Sequence, residues 1–164
     1  MIRRADLNDV DIIFELAHTI WPHTYAEILS KEQISYMLDL MYSKKVLRHS
    51  IENNEQNFYL LFEERDAIGF LSIQQKEGIL PITYKLNKIY IHQSKQGKGY
   101  GKLLIDFTEK EIKQNGAKIL ELNVNRNNKA LAFYKKLGFS IIREEDIDIG
   151  QGFLMEDYVM QKEV

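Results

Sequence analysis

HQSKQGKGYGKLL, residues 92–104, sets Gly97, Gly99 and Gly101 among Lys95, Lys98 and Lys102. The residues before it, LNKIYI (86–91), have the apolar and aromatic character of a strand. Those after it, KLLIDFTEKEIKQNG (102–116), repeat apolar side chains at helical spacing and end on Gly116, a residue suited to the position after a helix. The stretch therefore reads as a strand-to-helix turn stripped of side chains. A helix N-terminus offers unpaired N–H groups and a partial positive charge. Glycines there let an anion approach the backbone, and lysines add fixed charge, so a phosphate is the natural guest. A plain solvated turn has the same composition, so the surrounding pattern has to decide. Two phosphate-loop patterns fail. G-x-x-x-x-G-K-[ST] ending at Gly101-Lys102 meets Gln at 96 and Leu103. G-x-G-x-x-G starting at Gly97 meets Lys102 where it needs glycine.

Outward from the turn, the pattern predicts a mixed α/β chain. Residues 2–5 form a short strand, and Asp6 with Asp9 caps a helix carrying Val10, Ile13, Phe14, Ala17 and Ile20. Trp21-Pro22 is expected to end that helix. Ser30 opens a second helix through Ile34, Met37, Leu38 and Met41, and Ser43 a third through Val46, Leu47 and Ile51. Strands follow at 57–64 and 67–75, joined tightly at Arg65-Asp66, then at 82–91. After the glycine turn come a helix to about Asn115, a strand at 117–124, a helix at 127–138 and two β segments, SIIREEDIDI and FLMEDYVMQKE. The strand, helix and strand over 82–124 make a βαβ unit with an expected parallel pair and right-handed crossover.

Bulk properties narrow the function. With 164 residues, no linker and no low-complexity tract, the chain reads as one domain, 1–164. A formal charge of −2 and no broad basic stripe argue against nucleic acid. No apolar run approaches ~18 residues, so no membrane partner is expected. MIRRADLNDVDII has no long apolar stretch behind its arginines and reads as no signal peptide. The chain has no cysteine, which removes disulfides, thiolate metal sites and thiol catalysis and suits a cytoplasmic setting. No trusted metal spacing occurs among its histidines and carboxylates.

The pattern that fits the glycine stretch is Q/R-x-x-G-x-G/A, as Gln96-Gly97-Lys98-Gly99-Tyr100-Gly101. One strand downstream stands Asn127-Asn128-Lys129-Ala130-Leu131-Ala132-Phe133-Tyr134-Lys135-Lys136-Leu137-Gly138-Phe139. Together these resemble motifs A and B of the GCN5-related N-acetyltransferase (GNAT) superfamily, closely over 82–140 and by element order elsewhere. Within it, the IYI and FYKKLGF cores and the acidic β tail look most like bacterial spermidine/spermine-type and peptide-amine acetyltransferases. The resemblance implies an α/β fold built on one mixed, twisted sheet of about seven strands with helices on both faces. Its central parallel pair would splay. It implies acetyl-CoA as co-substrate, and transfer of the acetyl group to a primary amine of a small molecule or peptide. A non-catalytic acyl-CoA sensor of the same fold is the alternative.

The same resemblance implies roles. Gln96, Gly97, Lys98, Gly99, Tyr100, Gly101 and Lys102 would hold the pyrophosphate. The backbone of Ile89, Tyr90 and Ile91 would line the pantetheine arm, beside a splay at Val124-Asn125, satisfying open strand groups. Tyr134 would donate the thiolate's proton, since a phenol with a pKa of roughly 10 is protonated at neutral pH. Asn127 or Asn128 would cap the motif B helix near the cofactor. Many relatives carry a glutamate base where this chain has Asn87, so the base is left unassigned, with Glu121 a candidate on the next strand. Trp21, His23, Tyr25, Tyr36 and Tyr42 could line the amine site or simply pack, and His92 could be a plain surface residue. Glu144, Glu145, Asp146, Asp148, Glu156 and Asp157 could attract a polycation or serve solubility. FLMEDYVM, read as an exposed final strand, could pair across a homodimer.

Overall fold

The computed structural model describes all residues, Met1–Val164. Its elements are β1 (Ile2–Arg4), a 3-10 turn (Leu7–Asp9), α1 (Val10–Tyr25), α2 (Lys31–Tyr42), α3 (Lys44–Glu52), β2 (Asn57–Glu63), β3 (Asp66–Gln75) and β4 (Thr83–Ile91). Then follow α4 (Tyr100–Gln114), β5 (Ile119–Asn125), α5 (Ala130–Lys136), β6 (Ser140–Gly150) and β7 (Phe153–Glu163). The fold is α/β. Its seven strands form a mixed sheet in the order β1-β2-β3-β4-β5-β7-β6. The chain divides into two compact units, Met1–Gln74 with Lys88–Ile105, and Gln75–Asn87 with Asp106–Val164.

In the first unit the helix starts are fixed by side chains. Asp6 and Asp9 form a reciprocal capping box, and the Arg3 guanidinium grips both oxygens of the buried Asp9 carboxylate, each at 2.8 Å. Arg3's hydrogen bonds hold the Asp9 carboxyl below its ordinary range, despite burial pushing the other way. Ser30 accepts from Gln33 N–H and Ser43 from Val46 N–H, as their positions predict.

Pro22 does not end α1, which continues to Tyr25. Proline removes one helical hydrogen bond and costs about 3 kcal/mol in a helix interior. Here Trp21 and Tyr25 flank it and are both buried, and their burial offsets that cost. The β2–β3 hairpin turns at Glu64-Arg65 and carries a bulge. Leu61 pairs with Gly69 and Phe62 with Ala67, which leaves Ile68 outside the register.

In the second unit β4 and β5 pair in parallel, Thr83–Leu86 against Ile119–Leu122, as the βαβ reading requires. β7 pairs antiparallel with β5 over Ile119–Asn125 and with β6 along most of its length. From Asp157 to Gln161 the final strand is therefore flanked on both sides, whereas Phe153–Glu156 pair with β6 alone, and β6 is the edge. This corrects the expectation of an exposed FLMEDYVM strand for its second half, Asp157–Met160, which lies between β5 and β6. Its alternation of apolar and polar residues describes its two faces and cannot report its neighbours. Leu120, Leu122, Val124 and Met160 are buried on one face of these strands, and Val159 is buried on the other. No helix is long and apolar enough to cross a membrane.

Candidate active site

The glycine turn begins where β4 ends. Tyr90 is anchored by its ring, 5.7 Å from Phe70 and 5.8 Å from Trp21, and by a 3.0 Å hydroxyl contact with Tyr25. Those contacts fix one residue of the Ile89-Tyr90-Ile91 backbone by its side chain. His92 N–H then donates to the carbonyl of the bulged Ile68 at 2.8 Å, so the bulge supplies the loop's first tether. A 3-10 turn over Gln93–Lys95 follows, with His92 Nδ1 accepting from Ser94 N–H. Gln96 Nε2 returns to the Ile91 carbonyl at 3.0 Å, so this side chain braces the turn.

Gly97 and Gly99 have φ of 75° and 86°, where L side chains are strained, and nothing lies within 4 Å of a Cβ built on either. The backbone is thus bare on the approach to α4, whose opening N–H groups have no acceptor within the helix. Lys98 is exposed and Tyr100 starts α4. Bare backbone, a helix start and lysines together fit a phosphate.

The Trp21–Tyr25 segment is the last turn of α1 and not a helix–helix connection. Trp21 and Tyr25 are buried and His23 is exposed. Tyr42 is 1% exposed, and burial pushes its phenol far up. Tyr42 is a core residue. Tyr36 is half-buried.

The second unit holds Tyr134, Asn127 and Asn128. Tyr134 is buried on α5, with rings of Phe133 and Phe139 at 5.3 and 5.8 Å. Asn128 Oδ1 accepts from the N–H of Ala130, the first residue of α5, at 2.9 Å, whereas Asn127 is exposed and its N–H donates to Asn125 Oδ1. The N-cap residue itself is Lys129, which makes no side-chain cap bond, so neither asparagine is the cap, and of the two it is Asn128 that engages the helix start.

Glu121 is buried with both oxygens engaged, Oε1 by Lys76 Nζ at 2.9 Å and Oε2 by Gln161 Nε2 at 2.7 Å. Burial would raise its pKa, but Lys76 and Gln161 together hold it below the ordinary range. A carboxylate so held is a poor proton acceptor, and Glu121 serves structure. Asn87 Nδ2 is a buried donor with no partner.

Sequence reading missed two clusters. Asn123 Nδ2 donates to Glu145 and Asp157, at 3.3 and 3.2 Å, and Asp157 is a buried carboxyl whose pKa burial raises. These residues come from β5, β6 and β7, and only the antiparallel register brings them together. The other is Glu63 at the end of β2, which accepts from both Lys95 and Tyr100. Arg126 meanwhile pairs with Glu144, Asp146 and Glu156, so part of the acidic set is already neutralised.

The acetyltransferase (GNAT) domain model matches residues 25–161. The spermidine N(1)-acetyltransferase of Thermoplasma acidophilum is 32% identical over 160 residues, 94% of each chain. A crystal structure of PaiA N-acetyltransferase from Thermoplasma acidophilum in complex with coenzyme A superposes with a TM-score of 0.83 at 30% identity, covering 100% of this chain and 98% of that one. The ribosomal protein bS18-alanine N-acetyltransferase of Haemophilus influenzae is 32% identical over 107 residues, 63% of this chain and 67% of that one. The chain belongs to the GNAT acetyltransferase family. It is an N-acetyltransferase that uses acetyl-CoA as co-substrate.

Proposed function

We propose that this chain acts as one cytoplasmic catalytic domain, moving the acetyl group of acetyl-CoA to a primary amine of a small molecule, with polyamines the leading class. The observation that carries the substrate class is the 32% identity to a spermidine N(1)-acetyltransferase across 94% of both chains. The carboxylates of β6 and β7 support it, since they would attract a polycation. The family match over 25–161 runs through both compact units and supports a single working domain.

In this reading the Gln96–Lys102 turn holds the pyrophosphate and the Ile89–Ile91 backbone lines the pantetheine arm. The amine nitrogen attacks the thioester carbon directly within a ternary complex. A C–N bond forms, the C–S bond breaks, and the sulfur leaves with the electron pair. Tyr134 gives its phenolic proton to that thiolate. The proton released by the amine leaves through water, because Asn87 has no basic oxygen at neutral pH and Glu121 is held by Lys76 and Gln161. A peptide α-amine is the second reading, favoured by the shorter match to the bS18-alanine enzyme.

The test is thiol release from acetyl-CoA over a panel of spermidine, spermine, short peptides, lysine and aminoglycosides. A thiol reagent reports cleanly because the chain has no cysteine. Release that depends on spermidine or spermine is the expected result. Release with peptides alone would replace the polyamine reading with the second one.

A further inference from the structure

The four residues Gln96–Gly99 contain two glycines in the left-handed region, in open space. Such a segment has the greatest backbone freedom to lose on binding a ligand. Yet both of its flanks are held by one side chain. Glu63 Oε2 accepts from Lys95 Nζ, immediately before the segment, and Glu63 Oε1 accepts from the Tyr100 hydroxyl, immediately after it. Glu63 is the last residue of β2, next to the hairpin turn and one residue past the bulge. It is rooted in the sheet and not in the loop.

We propose that Glu63 is a positioning residue for coenzyme A, a carboxylate clamp that closes the two ends of the phosphate turn into a preformed cradle. The inference rests on the reading of Gln96–Lys102 as the pyrophosphate site. Its physical content is preorganisation: ordering completed during folding is not charged again on binding. Both contacts are charge-assisted, the stronger class of hydrogen bond. The ion pair and the Tyr100 hydrogen bond lower the Glu63 pKa, and those same contacts raise Lys95 and Tyr100, so all three keep the protonation states the clamp needs near neutral pH. The charged groups that bear on this site are Lys95, Lys98 and Asp66, besides Glu63 itself.

The clamp makes a prediction opposite in sign to simple electrostatics. Glu63 is an anion beside a site for an anion. If charge alone mattered, Glu63→Gln would tighten coenzyme A by removing repulsion. If Glu63 positions the turn, Glu63→Gln and Glu63→Ala both weaken it, Ala more, because Gln can still accept from Tyr100. The experiment is titration calorimetry of the full chain with coenzyme A, alongside steady-state kinetics. Glu63→Ala should weaken binding on the order of tenfold, raise the KM for acetyl-CoA in parallel, and leave kcat near the parent value. Tyr100→Phe should weaken it less, and the Glu63→Ala, Tyr100→Phe pair should cost less than the two separate losses combined.

Unchanged or tighter binding by Glu63→Gln and Glu63→Ala would overturn the clamp. Gly99→Asp is the control for the underlying reading, since it sets bulk and charge in the cradle itself. If Gly99→Asp binds coenzyme A normally, the phosphate site lies elsewhere. If Gly99→Asp abolishes binding while the Glu63 variants bind as the parent does, the site stands and the clamp alone falls. Matched melting temperatures separate a loop effect from general unfolding. A Glu63→Asp variant adds a further check: its carboxylate keeps the charge but is one methylene shorter, so it should recover only part of the affinity.

Discussion

Tyr134 is positioned by its neighbours before any substrate arrives. Its ring is packed edge-on against Phe139 and buried, and its carbonyl accepts from Phe139 N–H, so the side chain leaves α5 in a fixed direction. Tyr134→Phe keeps that packing and removes only the hydroxyl. If the phenol protonates the departing thiolate, kcat should fall about 10²-fold or more while coenzyme A affinity stays within twofold. Equal loss of kcat and affinity in calorimetry and kinetics would assign the hydroxyl to cofactor binding. Glu121 makes a different prediction. Its folded pKa is depressed by Lys76 and Gln161, so its stabilising effect is present above the unfolded carboxylate range and disappears as pH falls through the folded value. Glu121→Gln should therefore cost about 2 kcal/mol in urea melts at neutral pH, and the difference from the parent should shrink in acid. Asp157 runs the other way. Burial raises its folded pKa, so its contribution is greatest at low pH and is lost as pH rises through that value. Asp157→Asn retains an acceptor for Asn123 and should raise the melting temperature at neutral pH, with no gain in acid. A parallel shift at both pH values would show that the carboxyl's ionisation is not involved.

At the scale of elements, the legible features were those set by neighbours close in sequence. Ser30 and Ser43 cap the helices they precede because their partners lie only three residues on. The glycine turn was legible for the same reason, since φ sign and bareness are local properties. Pro22 was misread because its cost is local and its compensation is not. Trp21 and Tyr25 are buried against Tyr42 and Tyr90, residues far off in sequence. That account is testable. Pro22 is exposed, so Pro22→Ala restores a backbone donor without opening a cavity and should stabilise the fold by about 1 kcal/mol or more in denaturant melts. No gain would mean that α1 is bent at Pro22 in a way its packing requires. Register-dependent features were illegible for a further reason. Alternation along β7 says which residues share a face, and says nothing of β5 and β6 on either side. Glu63 lies 32 and 37 residues from its partners, so no spacing rule could have paired it with the turn.

For the whole molecule, the net charge of −2 conceals an uneven distribution. Residues 140–163 carry seven carboxylates against Arg143 and Lys162, a net charge of −5, which leaves +3 for the rest of the chain. If the amine is a polycation, as proposed, the two ligands would be drawn to charges of different sign, and the acidic residues of 140–163 would serve the amine. The near-neutral total could not report this uneven distribution. If the acidic hairpin attracts the amine, raising salt from ~50 to ~500 mM should raise the KM for spermidine several-fold, with a smaller effect for a monoamine. On the proposed reading salt would also weaken the attraction of Lys98 and Lys102 for coenzyme A, so acetyl-CoA must be kept saturating. A charge-removing variant separates the two effects. Glu144→Gln with Asp148→Asn removes two of the seven charges, and Asn keeps the acceptor that Gly150 N–H uses. The double variant should raise the KM for spermidine and flatten its salt dependence, leaving the KM for acetyl-CoA and for the monoamine unchanged. If spermidine and the monoamine respond alike, the acidic residues act as a solubility device, and amine selection rests on contacts other than charge.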